Sequence, residues 1–195
     1  MSRRSGAGST PREVTLEEWA DWDEDEPGEV VDGIVVEEEM PGFAHELTVT
    51  WLAATFRSWP TERLPLVGGS EAKFGVLPRT GRKPDLSVYL PDSPKPPAEG
   101  LIRTPPDIMV EILSPGAKNA RRDRLEKTGD YAAFGVRWYW VVDPRRRTLE
   151  IYQRGEAGAY ERVVVSSARI DAVPGCPGLL VDLPALWREF DTLES

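Results

Sequence analysis

A chain of 195 residues suits one domain of ordinary size, which can bury about 70% of the surface its unfolded form exposes. An apolar content of 40%, with seven Trp, supports a packed core, and no apolar run reaches the roughly 18 residues that a membrane span needs. The lone cysteine, Cys176, excludes an intramolecular disulfide and a thiolate metal cluster, and the lone histidine, His45, excludes a His-rich zinc site.

The net charge of −9 is unevenly spread. Between Glu13 and Glu39 there are 13 acids and no Lys or Arg, which leaves 20 acids against 24 basic groups elsewhere. The rest of the chain is therefore mildly basic and can accept a polyanion locally. The acidic stretch reads as a solvated segment, or else as a contact surface or a nucleic-acid mimic covering a basic site. The start of the chain lacks the apolar core of a signal peptide, so a cytoplasmic location is expected.

In chain order, residues 1–12 are small, polar and basic and are expected to be a disordered tail. Thr15 and Glu18 form a capping-box pattern that opens a short helix through Trp19 and Trp22. Two β-branched runs around Asp32-Gly33 predict an N-terminal β-hairpin. Leu47, Val49, Trp51, Leu52 and Phe56 predict a helix from about Ala44 to Trp59, closed before Pro60. Leu64–Val67 and Ala72–Leu77 are short strand candidates, and the alternation after Pro84 predicts a strand through Leu90. A Pro-rich loop from Pro91 to Pro106 leads into Asp107–Leu113, nearly all apolar, as a strand buried on both faces would be. A helix from about Ala120 to Phe134 stops at Gly135, and Arg137–Pro144 is a second buried strand. Together these three make a βαβ unit, expected to be parallel. Thr148–Arg154 is the hairpin partner of the second strand, followed by a strand at Tyr160–Ser166 and a helix near Leu183–Phe190.

The chemistry centres on three positions. Asp85 opens one strand, Glu111 lies deep in another, and Lys127 lies on the following helix, one turn after Asp123 and one before Tyr131. A carboxylate amid Ile-Met-Val-Glu-Ile-Leu is costly unless a cation or donor compensates it. It could pair with Arg103, Lys127 or Arg137 as a core ion pair. Alternatively, Asp85 and Glu111 hold Mg²⁺ and Lys127 stabilises charge developing on a phosphodiester. Lys118, Arg121, Arg122 and Arg124 stand between Glu111 and that helix and suit phosphate contacts. His45 reads as a helix-start residue rather than a ligand. Ser114 lacks a nucleophile elbow, and Gly68-Gly69 lacks the spacing of a phosphate-binding loop. Trp138 and Trp140 read as core.

Taken together, Gly28-Glu-Val-Val-Asp-Gly, Pro84-Asp85, Pro106-Asp-Ile-Met-Val-Glu-Ile-Leu-Ser-Pro, Asp123-Arg-Leu-Glu-Lys127 with Tyr131, and Gly135-Val-Arg-Trp-Tyr-Trp-Val-Val-Asp-Pro carry a resemblance. Over about residues 28–155 the chain resembles the Uma-type family of restriction-endonuclease-like proteins, once catalogued as a domain of unknown function, within the PD-(D/E)xK nuclease superfamily. The resemblance implies a restriction-endonuclease-like α/β core over residues 13–195, a mixed β-sheet flanked by helices. It further implies Mg²⁺- or Mn²⁺-dependent cleavage of DNA, with Asp85 and Glu111 as metal ligands, Lys127 as catalytic lysine and Glu29 as an additional site carboxylate. The lysine that the wider superfamily carries two residues after the second acid is replaced here by Leu113, so the ammonium comes from Lys127. Cutting both strands of a duplex would be served by a homodimer. Two other readings share this pattern: a nuclease fold that binds nucleic acid without cutting it, and a protein-interaction module using the acidic segment 13–39.

Overall fold

The computed structural model describes residues 12–23, 28–36, 41–113 and 120–193, and for 120–125 it describes the helical backbone without the side chains. The expected tail at 1–11 and parts of the acidic segment, 24–27 and 37–40, lie outside the described residues.

Thr15 caps the first helix, α1 (Leu16–Ala20), through the expected capping box. Its hydroxyl accepts from the Glu18 N–H at 3.2 Å, and the Glu18 carboxylate accepts from the Thr15 N–H at 2.8 Å. Strands β1 (Glu29–Val31) and β2 (Ile34–Val36) form the hairpin. Asp32 and Gly33 both take positive φ, 52° and 85°, as a two-residue turn matched to strand twist requires. The helix α2 (Phe43–Arg57) follows, starting one residue before its expected onset. Next come β3 (Leu66–Gly68), β4 (Phe74–Leu77), β5 (Thr80–Arg82) and β6 (Leu86–Tyr89). The βαβ unit is β7 (Ile108–Ile112), α3 (Ala120–Phe134) and β8 (Trp138–Asp143), and β7 pairs with β8 in parallel. Gly135, at φ 105°, ends α3. Then follow β9 (Thr148–Arg154), β10 (Tyr160–Ser166), the short pair β11 (Arg169–Ile170) and β12 (Val181–Asp182), and α4 (Leu183–Asp191).

Six strands form a mixed sheet in the order β10-β9-β8-β7-β6-β3, antiparallel except at β7–β8. Strand alternation sorts its residues to two faces. Ile108, Val110, Ile112, Trp138, Trp140 and Val142 pack with α2 and α4. Met109, Tyr139 and Val141 pack on the opposite face with Tyr131 of α3 and with Phe74 and Val76 of a second, four-stranded sheet, β2-β1-β5-β4. Glu111, odd-numbered like Met109, belongs to this second face. The fold therefore sandwiches Glu111 between the large sheet, α3 and the small sheet.

The small sheet is locked by a close approach at Gly81, which pairs with Val30 and Gly75. A Cβ there would lie 2.4 Å from the fully buried Trp19 ring, whose indole N–H donates to the Gly28 carbonyl at 3.1 Å. Gly81→Ala is therefore expected to destabilise the chain by about 1–3 kcal/mol through overpacking. Urea denaturation reads this as a lower midpoint at unchanged slope.

Candidate active site

Alternation along β7 aims Glu111 at the face where α3 packs, and one helical turn separates Lys127 from Tyr131, so both side chains reach it together. Lys127 Nζ donates to Glu111 Oε2 at 3.0 Å, and the Tyr131 hydroxyl donates to Glu111 Oε1 at 2.5 Å. Glu111 is buried. Of the core partners the sequence leaves open, Lys127 is the one the structure supplies.

Glu29, at the start of β1, enters the cluster from the small sheet. Lys127 Nζ lies 3.1 Å from its Oε1, which also accepts the Lys83 N–H at 2.9 Å. Its Oε2 accepts from Arg82 at 2.8 Å, and the same guanidinium donates twice to Asp130 of α3, at 2.9 and 2.6 Å. Arg82 thus ties the small sheet to α3 through two acids, while Lys127 ties both to the large sheet.

Asp85 stands one residue before β6. Continuing the β6–β7 register one step past the Leu86–Val110 pair sets it opposite Glu111. Its Oδ2 accepts the Ile112 N–H at 2.6 Å, and its Oδ1 lies 3.0 Å from His45 Nε2. His45 sits in the first turn of α2, where the sequence places it, with its other ring nitrogen 3.4 Å from Glu46.

Charge in this cluster is crowded. Burial pushes the Glu111 carboxyl up to about 7, with the Asp85 and Glu29 charges adding to the rise and Lys127 opposing it. Burial works on Glu29 in the same sense, but Lys127, Arg82 and the Lys83 N–H outweigh it and hold that carboxyl below its usual range. Burial would lower the Lys127 pKa, yet Glu111, Glu29 and Asp85 together drive it well above normal. Lys127 is thus held as an ammonium. His45 is likewise raised, burial being outweighed by Asp85 and Glu46.

Of the residues expected at the site, the structure brings Glu29, Glu111 and Lys127 into direct contact and sets Asp85 beside them. Lys118 lies outside the described residues, and of Arg121, Arg122 and Arg124 only their place in the first turns of α3 is described. Four participants escaped the sequence reading: Arg82, Lys83, Asp130 and the contact made by His45. Arg82 carried a signal, a basic residue just before Pro84-Asp85, whereas Lys83 takes part through its backbone N–H, which no side chain announces. Asp130 carried a weaker one, three residues after Lys127.

The sequence profile of a family described as "Uma2: Putative restriction endonuclease" matches residues 15–184. Among solved structures, the chain is similar to a crystal structure described as "a putative nuclease belonging to DUF820" from Anabaena variabilis. The TM-score is 0.70 at 20% identity, covering 90% of this chain and 98% of that one. At that identity the likeness is one of fold. No curated protein matches.

Proposed function

The chain belongs to the Uma2 family, and on that premise we propose that it hydrolyses phosphodiester bonds of DNA with Mg²⁺ or Mn²⁺ held by Asp85 and Glu111. The observation that carries the reading is the convergence of Glu111, Lys127 and Glu29 in one buried cluster, with Asp85 on the neighbouring strand end.

The donor set suits such an ion. Carboxylate oxygens are the ligands that hard divalent cations prefer, and Mg²⁺ is commonly held through one or two of them, with water and phosphate oxygens completing its shell. Among the described residues no group of three or more His, Cys, Asp or Glu is placed to hold a metal ion; in this reading the protein's share is the two carboxylates of Asp85 and Glu111. Four acids, Glu29, Asp85, Glu111 and Asp130, face the two fixed cations Lys127 and Arg82, a surplus of negative charge that a cation offsets. When bound, the ion would supply Lewis acidity to a water and neutralise the scissile phosphate.

The chain's own groups have separate tasks. Tyr131 and Lys127 fix the two oxygens of Glu111, and the Ile112 N–H fixes Asp85, with His45 against its second oxygen. Lys127, held as an ammonium, offers positive charge to the negative charge that builds up on the phosphoryl oxygens as water oxygen bonds to phosphorus and the P–O bond to the leaving sugar breaks. Glu29, saturated by Arg82, Lys83 and Lys127, orients that ammonium. Lys118, Arg121, Arg122 and Arg124 would grip the flanking backbone.

The test is incubation of supercoiled plasmid and of single-stranded DNA with the full chain in Mg²⁺, Mn²⁺ or EDTA. Nicking or linearisation in either metal and none in EDTA is the expected result. Equal cleavage in EDTA, or none in any condition, would overturn the reading.

A further inference from the structure

The turn between β8 and β9 carries three consecutive arginines, Arg145, Arg146 and Arg147, that the cluster above does not use. Because β7 and β8 are parallel, their C-terminal ends lie at the same end of the sheet. Glu111 pairs with Val141, and the Leu113 N–H donates to the Val142 carbonyl at 2.9 Å, so the turn begins just beyond the level of Leu113. With strands about 4.8 Å apart and a rise of about 3.3 Å per residue, the Asp143 backbone lies roughly 8 Å from that of Glu111. The first turns of α3, which must run back from that end of β7, come to the same region.

Local structure sends the three arginines to different places. Asp143 continues the alternation of β8 and so falls on the face of Tyr139 and Val141, the face of Glu111. It accepts the Arg146 N–H at 3.0 Å and lies 3.6 Å from its guanidinium, which holds Arg146 at the site end. Arg147 takes a left-handed φ of 53°, uncommon for a residue other than Gly, Asn or Asp, and its guanidinium pairs with Asp191 of α4 at 2.6 Å, on the opposite face. Arg145 is exposed and makes no ion pair among the described residues. Thus one arginine anchors the turn from behind and two are presented at the sheet end that carries Glu111.

We propose that Arg145 and Arg146 form a second phosphate-binding element, gripping the backbone of duplex DNA beside the scissile position, across the sheet end from the first turns of α3. This rests on the nuclease reading and deepens it by assigning where the duplex runs: over the C-terminal ends of β7 and β8. The cluster is basic on a chain of net charge −9, so it is a local feature rather than part of a general positive field. Arginine suits the task because its planar fork meets two phosphate oxygens at once.

The test is titration of a labelled DNA duplex with the full chain in EDTA, where no cutting occurs, across a series of NaCl concentrations. Each lost phosphate contact flattens the plot of log affinity against log salt by about 0.9, so R145A/R146A is expected to lower the slope by about 1.8 and weaken binding alike on unrelated sequences. R145K/R146K, which keeps the charge, should restore most of the slope. Arg63→Ala removes an exposed arginine paired with Asp92 near the opposite end of the sheet and should leave the slope unchanged. An unchanged slope in R145A/R146A would overturn the proposal, as would an equal loss in Arg63→Ala or an effect confined to an RNA duplex. The nuclease reading is judged separately by metal-dependent cleavage, so either can fail while the other stands.

Discussion

Glu111→Gln is expected to cut metal-dependent cleavage by about 10³-fold while leaving the metal-free chain folded and, at pH 8, no less stable than wild type. The two effects part because Glu111 is costly to the fold as an anion. It is buried, it sits near Asp85 and Glu29, and its carboxyl is pushed up to about 7. A group whose folded pKa is raised favours folding while it is protonated, and that contribution is lost as pH rises from the usual carboxylate value through about 7. The glutamine carries no such charge. Its carbonyl can accept from Lys127 while its amide N–H donates to the Tyr131 hydroxyl, and Lys127 keeps Glu29 at 3.1 Å. Thermal unfolding in EDTA should therefore show wild type losing stability between about pH 5 and 8 by a component that the variant lacks. A variant that unfolds at room temperature at every pH would show that the carboxylate holds the fold together and would remove the basis for separating site from scaffold. A folded variant that cleaves at the wild-type rate would take Glu111 out of the chemistry.

Local patterns were legible in the sequence wherever a few neighbouring residues decide the outcome. Asp32-Gly33 marked the N-terminal hairpin because two successive positive φ angles tolerate few other residues. The apolar run 107–113 marked β7, and the Lys127–Tyr131 spacing put both side chains on the face of α3 that meets Glu111. The assembly of the small sheet was not legible, although its hairpin and Ala72–Leu77 were. Its β1–β5 pairing joins Val30 to Gly81 across some fifty residues, and Thr80-Gly-Arg82 has neither alternation nor β-branched bulk beyond Thr80 to announce a strand. The site divides in the same way. Glu111 and Lys127 stood out through the order of short motifs, and Glu29 only through the family resemblance. Arg82 did not, because its role depends on the small sheet that brings it against α3. His45 was placed at the start of α2, but its contact with Asp85 arises only when that helix packs at the end of β6. Tertiary contacts of this kind carry no sequence period.

The buried guanidinium of Arg82 is expected to matter more to stability than any other single charged side chain of the cluster. Arg82→Ala should cost about 3–5 kcal/mol, because it strips a partner from two acids at once and leaves Glu29 buried with its Oε2 unpaired by any cation. For a chain of this size that corresponds to a fall of roughly 10 °C in Tm. Lysine is a poor substitute. Its single ammonium cannot reproduce three fixed N–H contacts in two directions, so Arg82→Lys should recover only part of the loss. Combining Arg82→Ala with Glu29→Gln should cost less than the sum of the single changes, since neutralising Glu29 removes one of the two unpaired acids. Below its melting temperature Arg82→Ala should also cleave more slowly than wild type. Without Arg82, Glu29 is held only through Oε1, by the Lys83 N–H and Lys127, and can turn away from the lysine it orients. A loss of less than about 1 kcal/mol would place the Arg82 pair in the range of solvated surface bridges. Arg82 would then be removed as the link through which the small sheet positions Glu29 and, with it, Lys127.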